Sequence, residues 1–326
     1  MCAPGRLRLL GAVVVAVAGA RSALAQAWTP PKGEASLTIG YARTYADQHL
    51  DDAGNGLIVP WGGATWGNMT WNNADTDLGY GITDRLAVLA TLPFVISKYE
   101  GVFPHPPLPG HENQDDGNWH STFGDFRAEV RFKATTGSLV VTPLLAFGTP
   151  SHSYEYYAHA TAGLGLTRGA VGVTVGRLLD PWIANGYAQV RYTFTLPEKV
   201  LGISHNSSNV YLDAGYFVTS ALTVSVIGEW QKTHGGWRQV DVPADPTDPN
   251  FLYHDQLLRA DHLRLGAGVS YSVTGSVEVG LAGYMTAWAR RDMNPRGFTF
   301  NMTYNFSPSQ LVKKNKTPQG RPGKPS

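Results

Sequence analysis

The sequence predicts an all-β protein folded as a transmembrane antiparallel β-barrel of about 12 strands. Apolar and polar residues alternate with a period of two along most of the chain, and no convincing amphipathic helix follows residue 25. The connections between these segments are either very short or long and polar. Successive side chains of a strand point to opposite faces, so this period gives each strand one apolar and one polar face.

The segment 123–133 shows the alternation most clearly. Its apolar parity includes Phe126, Val130 and Phe132. Its other parity is fully charged: Asp125, Arg127, Glu129, Arg131 and Lys133. Burying five ionisable groups would carry a large desolvation cost, so the charged face must meet water or paired charges. A half-exposed soluble sheet and the wall of a membrane barrel both fit.

Residues 1–25 predict a signal peptide and therefore export. Arg6 and Arg8 precede an apolar run at 9–18, and Ala-Leu-Ala at 23–25 provides small residues for cleavage. The run is too short to span a bilayer as a helix. The single cysteine, Cys2, would leave with this segment, so no disulfide is expected.

Composition limits the class of protein further. Charged residues are 16% of the chain, against about 25% in typical soluble domains. Three basic residues lie in 1–25 and five in 307–326, which leaves 18 basic groups against 25 acids, a net charge of −7, in between. Such an acidic body excludes nucleic acid as an expected partner.

The candidate strands number thirteen, whereas a bacterial barrel with both ends in the periplasm needs an even number. They lie near 34–45, 73–82, 85–97, 122–134, 137–148, 156–167, 169–179, 184–196, 207–218, 221–233, 259–272, 275–290 and 296–306. The conflict lies between 156 and 207. Either 156–179 is one strand with an irregular start, or a short strand lies in 197–206. We predict 12 strands, with 14 as the alternative.

The connections and aromatic residues favour the membrane barrel over a soluble sheet. Turn-like sequences occur at 83–84, 136–137, 168–169, 219–220 and 274–275, and long polar loops at 46–70, 98–121 and 234–258. Short periplasmic turns and long extracellular loops are typical of outer-membrane barrels. Aromatic residues near strand ends predict girdles that contact the lipid: Trp71, Tyr99, Tyr154, Tyr156, Tyr157, Trp182, Trp230, Trp288 and Tyr304.

The predicted barrel covers 26–306, and a basic, proline-rich tail at 307–326 is expected to be disordered. Tyr304 and Phe306 near the end of the last strand predict a signal for the machinery that inserts barrels into the outer membrane.

Several short motifs resemble those of outer-membrane transporters of the phenol meta-pathway type. They are the hairpin 77–86, Leu-Pro-Phe at 92–94 and Gly-Asp at 124–125. The resemblance implies a barrel in the bacterial outer membrane that passively transports small, including hydrophobic or aromatic, molecules. It brings no defined functional residue with it.

Charged residues on the predicted lumen face are the candidate site. They are Asp125, Arg127, Glu129, Arg131, Lys133, Arg191, Asp213, Glu229, Arg264 and Glu278. The preferred interpretation is structural, with opposite charges pairing to fill a narrow barrel. The functional interpretation is a polar constriction that selects permeants.

No metal site or cofactor is predicted. The loop 98–121 contains His105, His111, Glu112, Asp115, Asp116 and His120, but their spacing matches no defined site, so a solvated loop is expected. Asp241, Asp245, Asp248 and Asp255 lack the spacing of a calcium loop. The glycines in 163–169 do not have the spacing of a dinucleotide-binding loop.

Two alternatives to a channel stay open. His205, Asn206 and Ser207 contain the residue types used by lipid-acting barrel enzymes, although a nucleophile also needs a base within reach. A closed barrel whose long loops bind a partner is the second alternative. We predict a channel without enzymatic activity.

Overall fold

The computed structural model describes residues 27–55, 67–101, 105, 108–135, 137–243, 245 and 248–309. Antiparallel strands make up almost all of its regular structure. The strands are β1 Ala35–Ala46, β2 Asn68–Gly81, β3 Leu86–Glu100, β4 His120–Phe123, β5 Asp125–Phe132, β6 Leu139–Pro150, β7 Arg168–Leu178, β8 Gly186–Pro197, β9 His205–Phe217, β10 Leu222–Gly235, β11 Asp261–Ser272, β12 Val277–Arg290 and β13 Arg296–Phe306. The described helical turns are Gln239–Asp241, Phe251–Tyr253 and His254–Leu257. In the part of the chain that the structure describes, no helix has the length and apolar character needed to cross a membrane.

The sheet closes on itself as a barrel of 12 wall strands. β1 pairs with both β13 and β2, and β2 pairs with β3, which completes the ring. β4 and β5 form a single wall strand, since both pair with β3 on either side of a bulge at Gly124. Pro93 lies opposite this bulge and lacks an amide hydrogen, but its carbonyl accepts a 2.9 Å hydrogen bond from the Gly124 amide. The prediction of 12 strands is confirmed.

The predicted alternation separates the two faces of the wall. On β13, Phe298, Phe300 and Met302 are more than 40% exposed, whereas Thr299 between them is 2% exposed. The same pattern continues around the barrel, for example at Leu145 on β6 and Leu281 on β12. A continuous apolar outer surface of this size fits a lipid environment and not water.

The two rims differ in the length of their connections. The connections after β2, β5, β7, β9 and β11 are short. They lie at the rim where β1 begins and β13 ends. The long connections meet at the other rim. The predicted turn at 168–169 is wrong, because Arg168 and Gly169 begin β7 and pair with β6 and β8. The corresponding short connection is 179–185.

The predicted strand at 156–167 is also wrong, and this error explains the uneven count. Residues 151–167 connect β6 to β7 without strand pairing, and Tyr157, Ala158 and Ala160 in this segment are buried. The segment packs inside the long-loop mouth and does not form part of the wall. The range 156–179 therefore contributes one wall strand, β7, as the first of the two resolutions has it, although that strand begins only at Arg168; the second, a short strand within 197–206, is wrong.

The aromatic residues divide into two groups. Trp182, Trp230, Trp288 and Tyr304 are exposed on the outside, in agreement with a lipid-contacting role. The prediction is wrong for Tyr99 and Tyr157, which are buried among the long loops. It is also wrong for Trp71, Tyr154 and Tyr156, whose contacts are with the segment 151–167, with Asp125 and with His111. Tyr99 packs with Ala46, Met69 and Ala160. The predicted signal peptide lies outside the described residues, and so does the predicted tail beyond 309.

Candidate functional site

The barrel interior contains three cavities of about 290, 370 and 380 Å³. Each is lined by residues from strands on opposite sides of the ring, so all three lie inside the wall. Tyr211 lines all three cavities, and Arg127, Arg168 and Glu229 line the first two. The shared lining places the cavities next to one another along the bore.

Three of the predicted lumen residues form a buried ion-pair triad. Glu129 accepts hydrogen bonds from Arg131 Nε at 2.5 Å and from both terminal nitrogens of Arg191 at 2.6 and 2.9 Å. Arg131 is 2% exposed and Glu129 6%. Arg191 lies on β8, three wall strands from β5, so the triad crosses part of the bore and narrows it.

We call the segment 151–167 the inward loop. It is fixed to the wall by a second set of interacting side chains, those of Asp125, Tyr154 and Arg168. The Tyr154 hydroxyl donates to Asp125, and Arg168 Nη2 donates to the other carboxylate oxygen at 2.9 Å. The Tyr154 oxygen also accepts from the Gly165 amide at 2.9 Å. Trp71 Nε1 donates to the Thr161 carbonyl at 3.0 Å. These contacts hold the loop inside the barrel, where residues 162–164 line a cavity.

The other predicted lumen residues take different positions. Arg264 lies 3.2 Å from Asp292 and 3.8 Å from Glu229. Asp213 accepts from Gln189 at 2.8 Å. Glu278 lines the cavity of about 380 Å³, which lies nearest the short-turn rim. Arg127 lines the other two cavities, of about 290 and 370 Å³. Lys133 lies just beyond β5, where its amide donates to the Arg85 carbonyl at 2.7 Å.

The beginning of the described chain enters the bore from the short-turn rim. The Ala27 amide donates to Gln189 Oε1 at 2.8 Å, and Thr142 Oγ1 donates to the Ala27 carbonyl at 2.6 Å. Trp28 packs edge-on against Tyr187 at 6.5 Å. A Cβ at Gly176 would lie only 2.5 Å from the Ala27 Cβ, so this close approach requires glycine. The 27–34 segment therefore places Ala27 and Trp28 inside part of the bore.

Histidines and aspartates from several loops meet at the opposite rim. Asp115 Oδ2 accepts from His105 Nδ1 at 2.7 Å and from His159 Nδ1 at 2.5 Å. Although burial alone would raise it, these hydrogen bonds hold the pKa of Asp115 well below its usual range. Burial lowers the pKa of His49, which packs against the His159 ring, to about 3.

The expectation of a solvated loop is wrong for His105 and Asp115, each 5% exposed. Two other histidines of that loop pair with carboxylates nearer the surface. His111 lies 3.0 Å from Glu155, and His120 lies 2.8 Å from Asp116.

The helical turn His254–Leu257 brings His254 and Asp255 to the cluster formed by His49, His105, Asp115 and His159. His254 Nε2 lies 3.2 Å from His105 Nε2 and 3.3 Å from Asp255 Oδ1. Asp255 Oδ2 lies 3.5 Å from His105 Nε2. Burial would raise the pKa of Asp255, but His254 and His105 lower it. The aspartates considered for calcium serve other contacts: Asp241 binds Arg238 at 3.1 Å, and Asp248 accepts from the Asn250 amide at 2.7 Å.

The predicted histidine–serine cluster on β9 does not form a catalytic pair among the described contacts. Ser207 Oγ accepts from Asn209 at 3.1 Å, and no hydrogen bond joins it to His205 in the described structure. A different pair occurs nearby, with Ser208 Oγ 2.8 Å from His234 Nε2 and 3.1 Å from the Tyr192 hydroxyl. The described contacts show no third group that orients His234, which a base in nucleophilic catalysis requires.

Comparison with known proteins supports the fold. No protein-family model matches the sequence, and no curated protein matches it. A COG4313 outer membrane channel from Pseudomonas putida F1 is similar in structure, with a TM-score of 0.60 at 12% identity, covering 86% of this chain and 97% of that one. The NanC porin gives a TM-score of 0.47 at 9% identity over 82% and 98%. The NalP translocator domain from Neisseria meningitidis gives 0.48 at 11% identity over 85% and 90%.

Proposed function

We propose that the protein is a bacterial outer-membrane channel that passes small molecules passively through the bore of its barrel. The observation that carries this proposal is the contrast between a continuous apolar outer surface and an interior of adjoining cavities lined by Arg127, Glu129, Arg168 and Arg191. Polar interiors of this kind line the pathways of barrel channels. The COG4313 channel of similar fold supports the same reading.

The proposed permeants are small, including hydrophobic or aromatic, molecules. The resemblance to transporters of the phenol meta-pathway type suggests this class. Cavities of about 290 to 380 Å³ are large enough for a single aromatic ring and its substituents.

The Arg131–Glu129–Arg191 triad is proposed to set the ion preference of the narrow region. Pores select ions through the charged groups that line them. Glu129 offsets two arginines, so its removal leaves an excess of positive charge at this point. We therefore expect Glu129→Gln to shift the channel towards anions.

The test is a planar-bilayer recording of the refolded barrel, with and without benzoate as an aromatic probe. We expect discrete conductance steps in the wild type and their block by benzoate. In Glu129→Gln we expect the reversal potential under a salt gradient to shift towards the equilibrium potential of the anion. Glu100→Gln is the matched control, because Glu100 pairs with Lys98 at the loop rim and its side chain is 59% exposed. Absence of conductance from folded, heat-modifiable protein would exclude an open channel.

A closed, surface-binding barrel is the second candidate. The inward loop at one rim and the 27–34 segment at the other both occupy the bore, which is the specific observation in its favour. Silent recordings, together with loss of partner binding when the long loops are shortened, would support this candidate over the channel.

A further inference from the structure

Two histidine rings at the long-loop rim point their Nε2 atoms at each other. His254 Nδ1 lies 2.6 Å from the Phe251 carbonyl oxygen, and His105 Nδ1 lies 2.7 Å from Asp115 Oδ2. Both partners can only accept, so each Nδ1 carries the hydrogen and each neutral ring has its lone pair on Nε2. The two Nε2 atoms are nevertheless 3.2 Å apart. Two lone pairs at this distance repel unless a cation lies between them.

The Asp255 carboxylate supplies a third ligand group at the same place. Its Oδ1 lies 3.3 Å from His254 Nε2, and its Oδ2 lies 3.5 Å from His105 Nε2. Asp255 Oδ2 is buried and makes no hydrogen bond to any residue that the structure describes. A proton shared by the two rings would relieve their repulsion, but it would leave this carboxylate oxygen without a hydrogen-bond donor.

The two histidine nitrogens and the Asp255 carboxylate lie close enough together to bind one metal ion. Zn²⁺ binds nitrogen and carboxylate oxygen at about 2.0–2.2 Å, so tetrahedral ligand atoms lie about 3.3–3.5 Å apart. The two Nε2 atoms are 3.2 Å apart, close to this range. The Asp255 carboxylate faces both nitrogens, with Oδ1 3.3 Å from His254 Nε2 and Oδ2 3.5 Å from His105 Nε2. Imidazole nitrogen with carboxylate oxygen is also a donor set that suits Zn²⁺ and related transition metals.

The hydrogen-bond partners of the two histidine Nδ1 atoms have the arrangement that metal-binding histidines require. Such histidines donate their second ring hydrogen to a carboxylate or a backbone carbonyl, which fixes the tautomer and the ring orientation. Asp115 does this for His105, and the Phe251 carbonyl does it for His254. His159 and its own amide also donate to Asp115, so the supporting carboxylate is itself held in place.

We propose that His105, His254 and Asp255 bind a divalent transition-metal ion, with Zn²⁺ as the representative ion, and that the ion cross-links two long loops at the mouth of the barrel. The three residues leave a fourth position for water or a solute. Asp255 also lines a cavity of about 330 Å³ under the loops, which gives an ion access from the interior side. This site does not depend on whether the bore conducts.

The test is a titration of the refolded, tag-free full-length barrel with ZnCl₂ by calorimetry, and with Co²⁺ by visible absorption. We expect one tight equivalent of Zn²⁺ and the intense bands of tetrahedral cobalt. His254→Ala and Asp255→Asn should each weaken binding at least about tenfold, and Asp115→Asn about 10–100-fold through its support of His105. Heat-modifiable migration in gels establishes that each variant has folded.

His120→Ala is the matched control, because His120 lies near the same loop, pairs with Asp116 and does not contact the cluster in the described structure. It should bind zinc like the wild type. Equal zinc binding by the wild type, His254→Ala and Asp255→Asn would overturn the proposal, and so would failure of the folded wild type to bind Zn²⁺.

Discussion

Thr142 and Thr174 are both fully buried in the interior wall, but only Thr142 holds another part of the chain. Thr142 donates to the Ala27 carbonyl, whereas the Thr174 hydroxyl makes no hydrogen bond to a described residue. We expect Thr142→Val to weaken the attachment of the 27–34 segment by about 1 kcal/mol, or about fivefold in its local opening equilibrium. Faster amide exchange at Ala27, Trp28 and Thr29 would show this.

The same substitution at Thr174 is the control, since valine there removes no contact with the segment. Equal exchange rates in Thr142→Val and Thr174→Val would contradict the assigned role of Thr142. Both threonines lie on neighbouring strands, on the parity opposite the lipid-facing residues, and the sequence does not distinguish them. The difference arises because the returning chain passes beside Thr142.

At the level of elements, the inward loop depends on contacts made by one tyrosine side chain. Tyr154→Phe removes the hydrogen bond to the Asp125 carboxylate and the one from the Gly165 amide. A hydrogen bond to a charged group contributes about 1.5–3 kcal/mol, so the loop should detach from the wall more often. We expect larger or more variable single-channel currents in the proposed channel.

Tyr156→Phe is a matched control, because the Tyr156 hydroxyl makes no hydrogen bond among the described contacts and lies two residues away. If Tyr154→Phe and Tyr156→Phe both give wild-type currents, the inward loop does not limit the conductance. The residues of this loop alternate like a strand in the sequence. Only the closed ring shows that the wall is complete without it.

For the whole molecule, the apolar outer surface determines the solvent in which the barrel is stable. Leu281 is 53% exposed on β12 and pairs with Phe300 near the middle of β13. We expect Leu281→Arg to destabilise the barrel in lipid vesicles by about 2–4 kcal/mol, because a charge there would face hydrocarbon. Urea titration of the folded protein in vesicles measures this loss.

Val240→Arg provides the comparison, because Val240 is 71% exposed in a long loop and should tolerate the charge. Similar stability of Leu281→Arg and the wild type would show that this face does not contact the membrane interior.

Only closure of the ring decided that the wall has 12 strands and which segments they are, whereas the sequence by itself determined the strand period and the face of each strand that meets lipid. These properties are local, because the alternation of side chains is fixed by the backbone of each strand. It also identified Glu129, Arg131 and Arg191 as interior residues, since a charged parity opposite an apolar one leaves few alternatives.

Tertiary structure alone decided which distant groups meet. His105 and His254 are separated by 149 positions, and Asp125 pairs with Arg168 43 positions away. Irregular loops have no period from which such contacts can be inferred, so the buried histidine cluster reads in the sequence as scattered polar residues. Closure of the ring brings the loops together over one mouth, where mutual packing buries these groups and fixes their hydrogen bonds.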